Sequence, residues 1–373
     1  MRSNSKWNGR ATSAVPSRGA VPARRSLRRW ATREKGTERL MCSAGKIHYA
    51  TVVVLVAGLI GCSQAAAETT DSARIGLIVF SAADANNRFQ IYSVKPDGGD
   101  KKQLTHQGNN VTPAWTPDGK RIIFASDRFG TREIFLMNED GSGASEIKTA
   151  VAGNKLTPSM SHDLSQIAFA TENSHTGHPE IWVANADGTV PRQLTDTPKA
   201  SAGPTWSLFP RFSLDRSKIV YASTRSGSSQ IWIMNGNGSG KRQLTNGVAK
   251  NCPDANAPNW SPDGKHIVFW AGYETRYGEI WTMKADGTSR KQLTDQPPPI
   301  SSDNPAWSPD GSKIIFDTNR SRSNVEIWIM DGNGGNQRKL IGGFGAGGVM
   351  QMSWRPGLHG KGLPPNKGIE PTR

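Results

Sequence analysis

Pro258-Asn259-Trp260-Ser261-Pro262-Asp263-Gly264, then HIVFW at 266–270, Glu279-Ile280-Trp281-Thr282-Met283, Ala285-Asp286-Gly287 and Lys291-Gln292-Leu293-Thr294, make one copy of a unit that fills most of the chain. Copies start at Pro113, Pro158, Pro210, Pro258 and Pro305, spaced by 45, 52, 48 and 47 residues, and a sixth start falls at Met352, 47 residues further on. A repeat of about 40–50 residues signals small units that bury their apolar faces only by stacking on one another.

Each copy divides into four short antiparallel strands, A to D. Strand A ends at Pro-x-Trp-Ser, and Pro-Asp-Gly makes a tight turn into strand B, with glycine supplying the positive φ that other residues resist. Strand C begins Ile-Trp, at Ile181-Trp182, Ile231-Trp232, Ile280-Trp281 and Ile327-Trp328, with Ile134-Phe135 and Ile91-Tyr92 as variants. The turn from C to D carries Asp97-Gly98, Asp140-Gly141, Asp187-Gly188, Asn237-Gly238, Asp286-Gly287 or Asn333-Gly334, and such pairs are the strongest short hairpin signal. Strands B and C are apolar at consecutive positions, which implies burial on both faces. Four strands per repeat, buried on both faces, predict the blades of a β-propeller.

The two ends of the repeat region are complementary. The first unit, Arg74 to Thr105, has strands B, C and D but no A, whereas Gln351-Met352-Ser353-Trp354-Arg355-Pro356-Gly357 is a strand A with nothing after it. Joining them completes a sixth blade. The expected fold is therefore all-β, a six-bladed β-propeller of four-stranded antiparallel blades over residues 68–357, closed by its C-terminal strand.

These units resemble the WD40-like Pro-Asp repeats of the TolB-type six-bladed β-propellers, over residues 74–357. The resemblance implies a periplasmic protein that binds a protein or peptide partner in the bacterial cell envelope, as in the Tol–Pal system. Proteins of that type carry an α/β domain before the propeller. Here only Glu68–Ala73 separates the expected mature N-terminus from the first strand, so that domain is expected to be missing.

Composition agrees with many strands and turns. The chain has 40 Gly and 23 Pro in 373 residues, and helix interiors disfavour these by about 1 and 3 kcal/mol relative to Ala. The net charge of +15 belongs to the ends: residues 1–50 hold 12 basic and 2 acidic side chains, and residues 355–373 hold 4 and 1. The nearly neutral middle argues against a nucleic-acid partner. Residues 1–40 are expected to be disordered or untranslated, with Met41 as an alternative start. From Met41 to Ala67 the chain reads as an export signal, with an apolar run from Ala50 to Ile60 that is too short to span a bilayer. Leu59-Ile60-Gly61-Cys62 resembles a lipobox, in which Cys62 takes the lipid, and Ser63 would by the same resemblance permit sorting to the outer membrane. Ala65-Ala66-Ala67 is the competing site for ordinary secretion. The tail at 358–373 is expected to be disordered.

Enzyme signatures fail on inspection. There is no G-x-S-x-G elbow. Gly238-Ser239-Gly240-Lys241 lacks the first glycine and the hydroxyl residue of a phosphate loop, and Asp331-Gly332-Asn333-Gly334-Gly335 reaches Gly342 where a calcium loop needs Glu. His175-x-x-His178 offers two imidazoles without a third ligand, and Cys252 reads as a free thiol. The Trp and Met residues of strand C are expected to pack between blades. We expect no cofactor and no metal, and a monomer.

The short A–B and C–D turns lie on one face and the longer D–A and B–C connections on the other, which makes the second face the expected binding face. Its candidates are Asn109, Asn110, Lys155, Asp254, Asn256, Tyr273, Arg276, Tyr277, Asp303 and Asn304. The alternative function is an enzyme acting on acidic oligosaccharides as a lyase or hydrolase, with Asp254 and Asp303 as the paired carboxylates.

Overall fold

A computed structural model describes residues 76–172, 178–197, 205–247, 254–273, 276–321, 324–344 and 348–356. The expected export signal with Cys62, the imidazole of His175, Cys252 and the tail lie outside the described residues.

The described residues form strands and turns. The strands are β1 (Ile78–Ala83), β2 (Phe89–Val94), β3 (Lys102–Gln103); β4 (Asn110–Trp115), β5 (Arg121–Ser126), β6 (Glu133–Asn138), β7 (Ser145–Ile147); β8 (Lys155–Met160), β9 (Gln166–Glu172), β10 (Pro179–Asn185), β11 (Arg192–Gln193); β12 (Ser207–Phe212), β13 (Lys218–Ser223), β14 (Gln230–Asn235), β15 (Arg242–Gln243); β16 (Asp254–Trp260), β17 (His266–Tyr273), β18 (Arg276–Lys284), β19 (Lys291–Gln292); β20 (Ser302–Trp307), β21 (Lys313–Thr318), β22 (Val325–Asp331), β23 (Arg338–Phe344); and β24 (Val349–Trp354). They form six four-stranded antiparallel sheets in sequence order, except that β24 pairs with β1 to complete blade 1. Blades 2 to 6 follow, each opening with its strand A at β4, β8, β12, β16 or β20. These first strands touch their neighbours all round, β4 with β24 and β8, β16 with β12 and β20, so they line a central axis.

Burial explains the arrangement. Strand β5 reads RIIFAS and buries every residue after Arg121, leaving no polar face. The apolar side chains collect into six clusters, each made by two adjacent blades. Val79, Ile91 and Leu104 of blade 1 meet Phe124, Phe135 and Met137 of blade 2, and Ile181 and Leu194 of blade 3 meet Ile219, Tyr221 and Met234 of blade 4. The expected inter-blade packing of the strand C aromatics and methionines is what the structure shows. The last seam joins Ala306, Ile315 and Ile327 of blade 6 to Ile78, Phe80, Met352 and Trp354 of blade 1.

Two repeated polar devices account for the motif residues. At the A–B turn, Ser261 Oγ donates to Asp263 Oδ1 (2.6 Å) and accepts the N–H of His266 (2.9 Å), while Gly264 takes φ 69°. Thr116–Asp118, Ser161–Asp163, Ser213–Asp215 and Ser308–Asp310 repeat the first of these bonds. The hydroxyl bond from Ser261 holds the Asp263 carboxyl below its ordinary range. In the second device, the threonine after strand D accepts the N–H of the strand C isoleucine and donates to the Glu or Gln just before it. Ile231 N–H to Thr245 Oγ1 is 2.9 Å and Thr245 Oγ1 to Gln230 Oε1 is 2.7 Å. Thr105 with Ile91 and Gln90, Thr195 with Ile181 and Glu180, and Thr294 with Ile280 and Glu279 do the same. This is why the unit is written Glu-Ile-Trp and Gln-Leu-Thr.

Ring closure rests on β24. Trp354 is 5% exposed, and Arg355 pairs with Glu139, donates to the carbonyl of Gly119 (2.9 Å) and covers the Trp115 ring. Trp354→Ala is expected to cost about 3–5 kcal/mol in urea unfolding, the range of a core aromatic, although it stands at the end of the last strand. Thr245→Val keeps shape but orphans the Ile231 N–H and is expected to cost about 1–2 kcal/mol by the same measurement.

Candidate functional site

Each inner strand is interrupted at the same place. The pairing of strands A and B slips between Val111 and Ala114, Leu156 and Ser159, Leu208 and Arg211, Asn256 and Asn259, Asp303 and Ala306, and at Gln351 in β24. The bulged residues Thr112, Thr157, Phe209, Ala257, Asn304 and Gln351 all have φ between 44° and 57°. A left-handed non-glycine residue costs about 1 kcal/mol, and six such residues on one ring mark the channel as the place to seek function. Phe209, Arg211, Asn259, Asn304 and Gln351 line a small channel cavity of about 10 Å³, room for about one water molecule.

Several candidates on the expected binding face are spent inside the fold. Asn110 is fully buried; its Nδ2 donates to Gln90 Oε1 (2.9 Å) and it accepts from Arg128 Nη2 (2.9 Å). Asn109 donates from its backbone N–H and from Nδ2 to Asp127. Lys155 is 1% exposed, with Nζ 3.0 Å from Glu133 Oε2 and donating to the carbonyl of Gly153 (2.9 Å). The sequence places Lys155 on the loop face, but β6 of the preceding blade supplies a carboxylate that draws it inward. Burial nevertheless leaves Glu133 raised above its ordinary value.

The two expected carboxylates, Asp254 and Asp303, each meet a partner of their own. Asp254 Oδ1 accepts the N–H of Ser229 (3.0 Å), and the carboxyl opposite Asp303 is Asp317, its register partner on β21. The repeat provides an internal control, because the equivalent pairs are Val111–Ala125, Leu156–Ala170, Leu208–Ala222, Asn256–Trp270 and Met350–Ser81. Only blade 6 places two acids there. Ser301 Oγ donates to Asp303 Oδ2 (2.7 Å), and Asn304 Nδ2 donates to Asp317 Oδ1 (3.0 Å). Gly278 of blade 5 makes room, since a Cβ there would stand 2.7 Å from Asp303 Oδ1. Burial raises Asp303 to about 6, and burial together with the charge of Asp303 lifts Asp317 well above the ordinary range.

Asn256, next door on blade 5, is 8% exposed and accepts the N–H of Ala257. Tyr273 and Arg276 are register partners at the end of the β17–β18 hairpin, and Tyr277 follows, 42% exposed with φ 55°. Among the described residues no three His, Cys, Asp or Glu side chains gather as a metal would need. The residues not singled out from the sequence are Phe209, Arg211, Asp317 and Gln351. Their signal was departure from the repeat: an acid inside the apolar run of β21, and a bulky or charged side chain where other inner strands carry small ones.

Fold and channel together define a closed six-bladed β-propeller with a narrow polar channel. The sequence profile of the TolB beta propeller domain matches residues 53–175 and 142–358, and the chain belongs to that family. An uncharacterized protein of Agrobacterium fabrum is 27% identical over 186 residues, 48% of this chain and 60% of its own length. The Tol-Pal system protein TolB of Anaeromyxobacter dehalogenans is 30% identical over 119 residues, 32% of this chain and 26% of its own. The chain thus spans less than two thirds of the length of these curated relatives. The crystal structure of TolB from Acinetobacter baumannii superposes with a TM-score of 0.63 at 22% identity, over 75% of this chain and 67% of that one, which shows the shared fold.

The acid pair has a defined linkage. Between about pH 3.9, where unfolded aspartate titrates, and about 6, where Asp303 does in the fold, the folded state holds more protons than the unfolded one. Stability therefore falls as pH rises through this window. The urea midpoint is expected to be higher at pH 5 than at pH 7.5, by the equivalent of at least about 1.4 kcal/mol, the Asp303 contribution. The double substitution Asp303→Asn, Asp317→Asn is expected to abolish the difference.

Proposed function

We propose that this chain is an exported, lipid-anchored and non-catalytic propeller that binds a protein or peptide partner in the bacterial cell envelope through its D–A/B–C face. One observation carries the choice of face. Of the four large apolar side chains exposed among the described residues, Phe129 (73%), Tyr277 (42%) and Met350 (41%) lie on that side, and Val190 (75%) alone lies in a turn on the other. Exposed aromatic and Met side chains above a polar channel suit a protein interface, where such residues are enriched. Membership of the TolB beta propeller family supports an envelope partner, since a relative is itself a Tol-Pal system protein. Export and the lipid on Cys62 rest on the signal and lipobox pattern of residues 41–67.

Cross-linking in the native cell with the full chain, followed by mass spectrometry, tests both parts, because the same sample reports the mature N-terminus. Phe129→Ser with Tyr277→Ser is expected to lower recovery of a specific envelope partner at least tenfold while shifting Tm by no more than about 2 °C, since both side chains are exposed. Val190→Ser is expected to leave recovery unchanged. Equal recovery from all three proteins places the partner elsewhere, and a mature terminus at residues other than 62 removes the lipid anchor.

A further inference from the structure

We propose that the face formed by the A–B and C–D turns lies against an anionic lipid surface, with blades 4 and 5 making the contact. Charge is the first observation. On that face blade 4 carries Arg216, Lys218, Lys241 and Arg242 against Asp215, and blade 5 carries Lys265, Lys284, Arg290 and Lys291 against Asp263 and Asp286, all of them exposed. On the opposite face the same two blades hold Arg225 and Arg276 against Asp254, Glu279 and Asp295 among the described residues. The basic excess therefore sits on one side of the ring. The fold places these charges without cancelling them. Arg216 pairs with Asp163 (2.7 Å), whereas Lys241, Arg242, Arg290 and Lys291 donate to the carbonyls of Gly238, Asp286, Leu244 and Asn333. A carbonyl orients a cation but brings no net charge, so the field of the patch reaches outward.

Val190 supplies the second observation. It is the large apolar side chain exposed on this face, and it follows the C–D turn of blade 3 beside blade 4, to which Arg192 reaches by donating to the carbonyl of Asn237 (2.7 Å). An apolar tip among basic residues suits the boundary between lipid headgroups and acyl chains. The turns are also alike, the C–D glycine taking φ between 86° and 94° in all six blades, and matched turns suit a flat partner. The third observation is where the chain enters the ring. β1 begins on this face: Ile78 pairs with Trp354, the Leu77 carbonyl accepts the N–H of Arg355 (2.7 Å), and Arg355 reaches Gly119 and Glu139 in the turns of blade 2. Cys62 precedes Gly76 by 14 residues, a reach of at most about 50 Å. A lipid on Cys62 therefore tethers the propeller by its turn face and leaves Phe129 and Tyr277 turned toward a partner. This inference rests on the lipid-anchored reading above and names the surface that the anchored propeller meets.

The test uses residues 63–373, which contain every strand of the closed ring and lack the lipid-bearing cysteine. Vesicles of phosphatidylcholine, with and without phosphatidylglycerol, are the probes. Co-sedimentation at low salt is expected to show at least tenfold stronger partition onto the anionic vesicles, a gain that high salt removes. Lys265→Glu with Lys284→Glu is expected to weaken that partition at least tenfold, since each Lys or Arg near such a surface contributes about fivefold. Val190→Ser is expected to weaken it about threefold, and Arg88→Glu with Lys148→Glu, on the opposite face, to leave it unchanged. If the double reversal does not fold, Lys265→Gln with Lys284→Gln and the salt dependence decide. Equal partition onto both vesicles, or equal loss from the opposite-face reversal, would overturn the proposal. So would hexaglutamate binding that depends on Lys265 and Lys284 while vesicles do not bind, which makes the partner an acidic protein. The two readings fail separately. Anionic vesicle binding with a mature terminus other than Cys62 removes the anchor alone, whereas a lipid on Cys62 and a captured partner, with no preference for anionic vesicles, removes the membrane face alone.

Discussion

No blade of this chain has a polar side to turn to water. Strands β5, β13 and β21 are buried on both faces, so a blade becomes stable only between two others, and a row of blades would always leave two such faces bare. Closing the row into a ring removes both. Each of the six clusters is accordingly shared across a seam. The ring shuts by hydrogen bonds between strands from opposite ends of the repeat region, β1 and β24, which couples the first blade to the last residues of the fold.

Closure also dictates what happens at the axis. Six inner strands converge there, and each escapes the crowding by a bulge with one left-handed residue. Because the bulge recurs in all six, its backbone strain belongs to the architecture. What differs between blades is the side chain presented at or beside it: Thr112 and Thr157 on one side, Phe209 with Arg211 on another, and Asn304 and Gln351 beyond. The scaffold holds these groups in a fixed ring, and any selectivity of the channel resides in their chemistry.

The strands, their turns and the closure by 351–357 were legible because each depends on a pattern repeated every 45–52 residues. The fate of Asn110 and Lys155 was not legible. Both open an inner strand, where the same residue faces solvent or a seam according to what the adjacent strand C offers. Gln90 draws Asn110 in and Glu133 draws Lys155 in, and these partners stand 20 and 22 residues away. Sequence spacing identifies the strand and its register within the repeat; it does not identify which side chain of the preceding blade meets it.

A repeat protein carries its own reference, and this bears on where function is sought. By sequence Asp303 is one more polar residue of a D–A loop; what sets it apart is Asp317, which occupies a position that holds Ala, Trp or Ser in every other blade. Arg211 is equally exceptional among Ala, Ser and Asn. Neither substitution helps packing, since burying a charge or two adjacent carboxyls is unfavourable. Apolar or small residues at the same positions satisfy the fold in the other blades, so stability alone does not account for the exceptions. Residues that cost the fold something and break its internal rule are therefore where a role beyond folding is to be sought, ahead of polar residues on variable loops, which the fold tolerates at no cost.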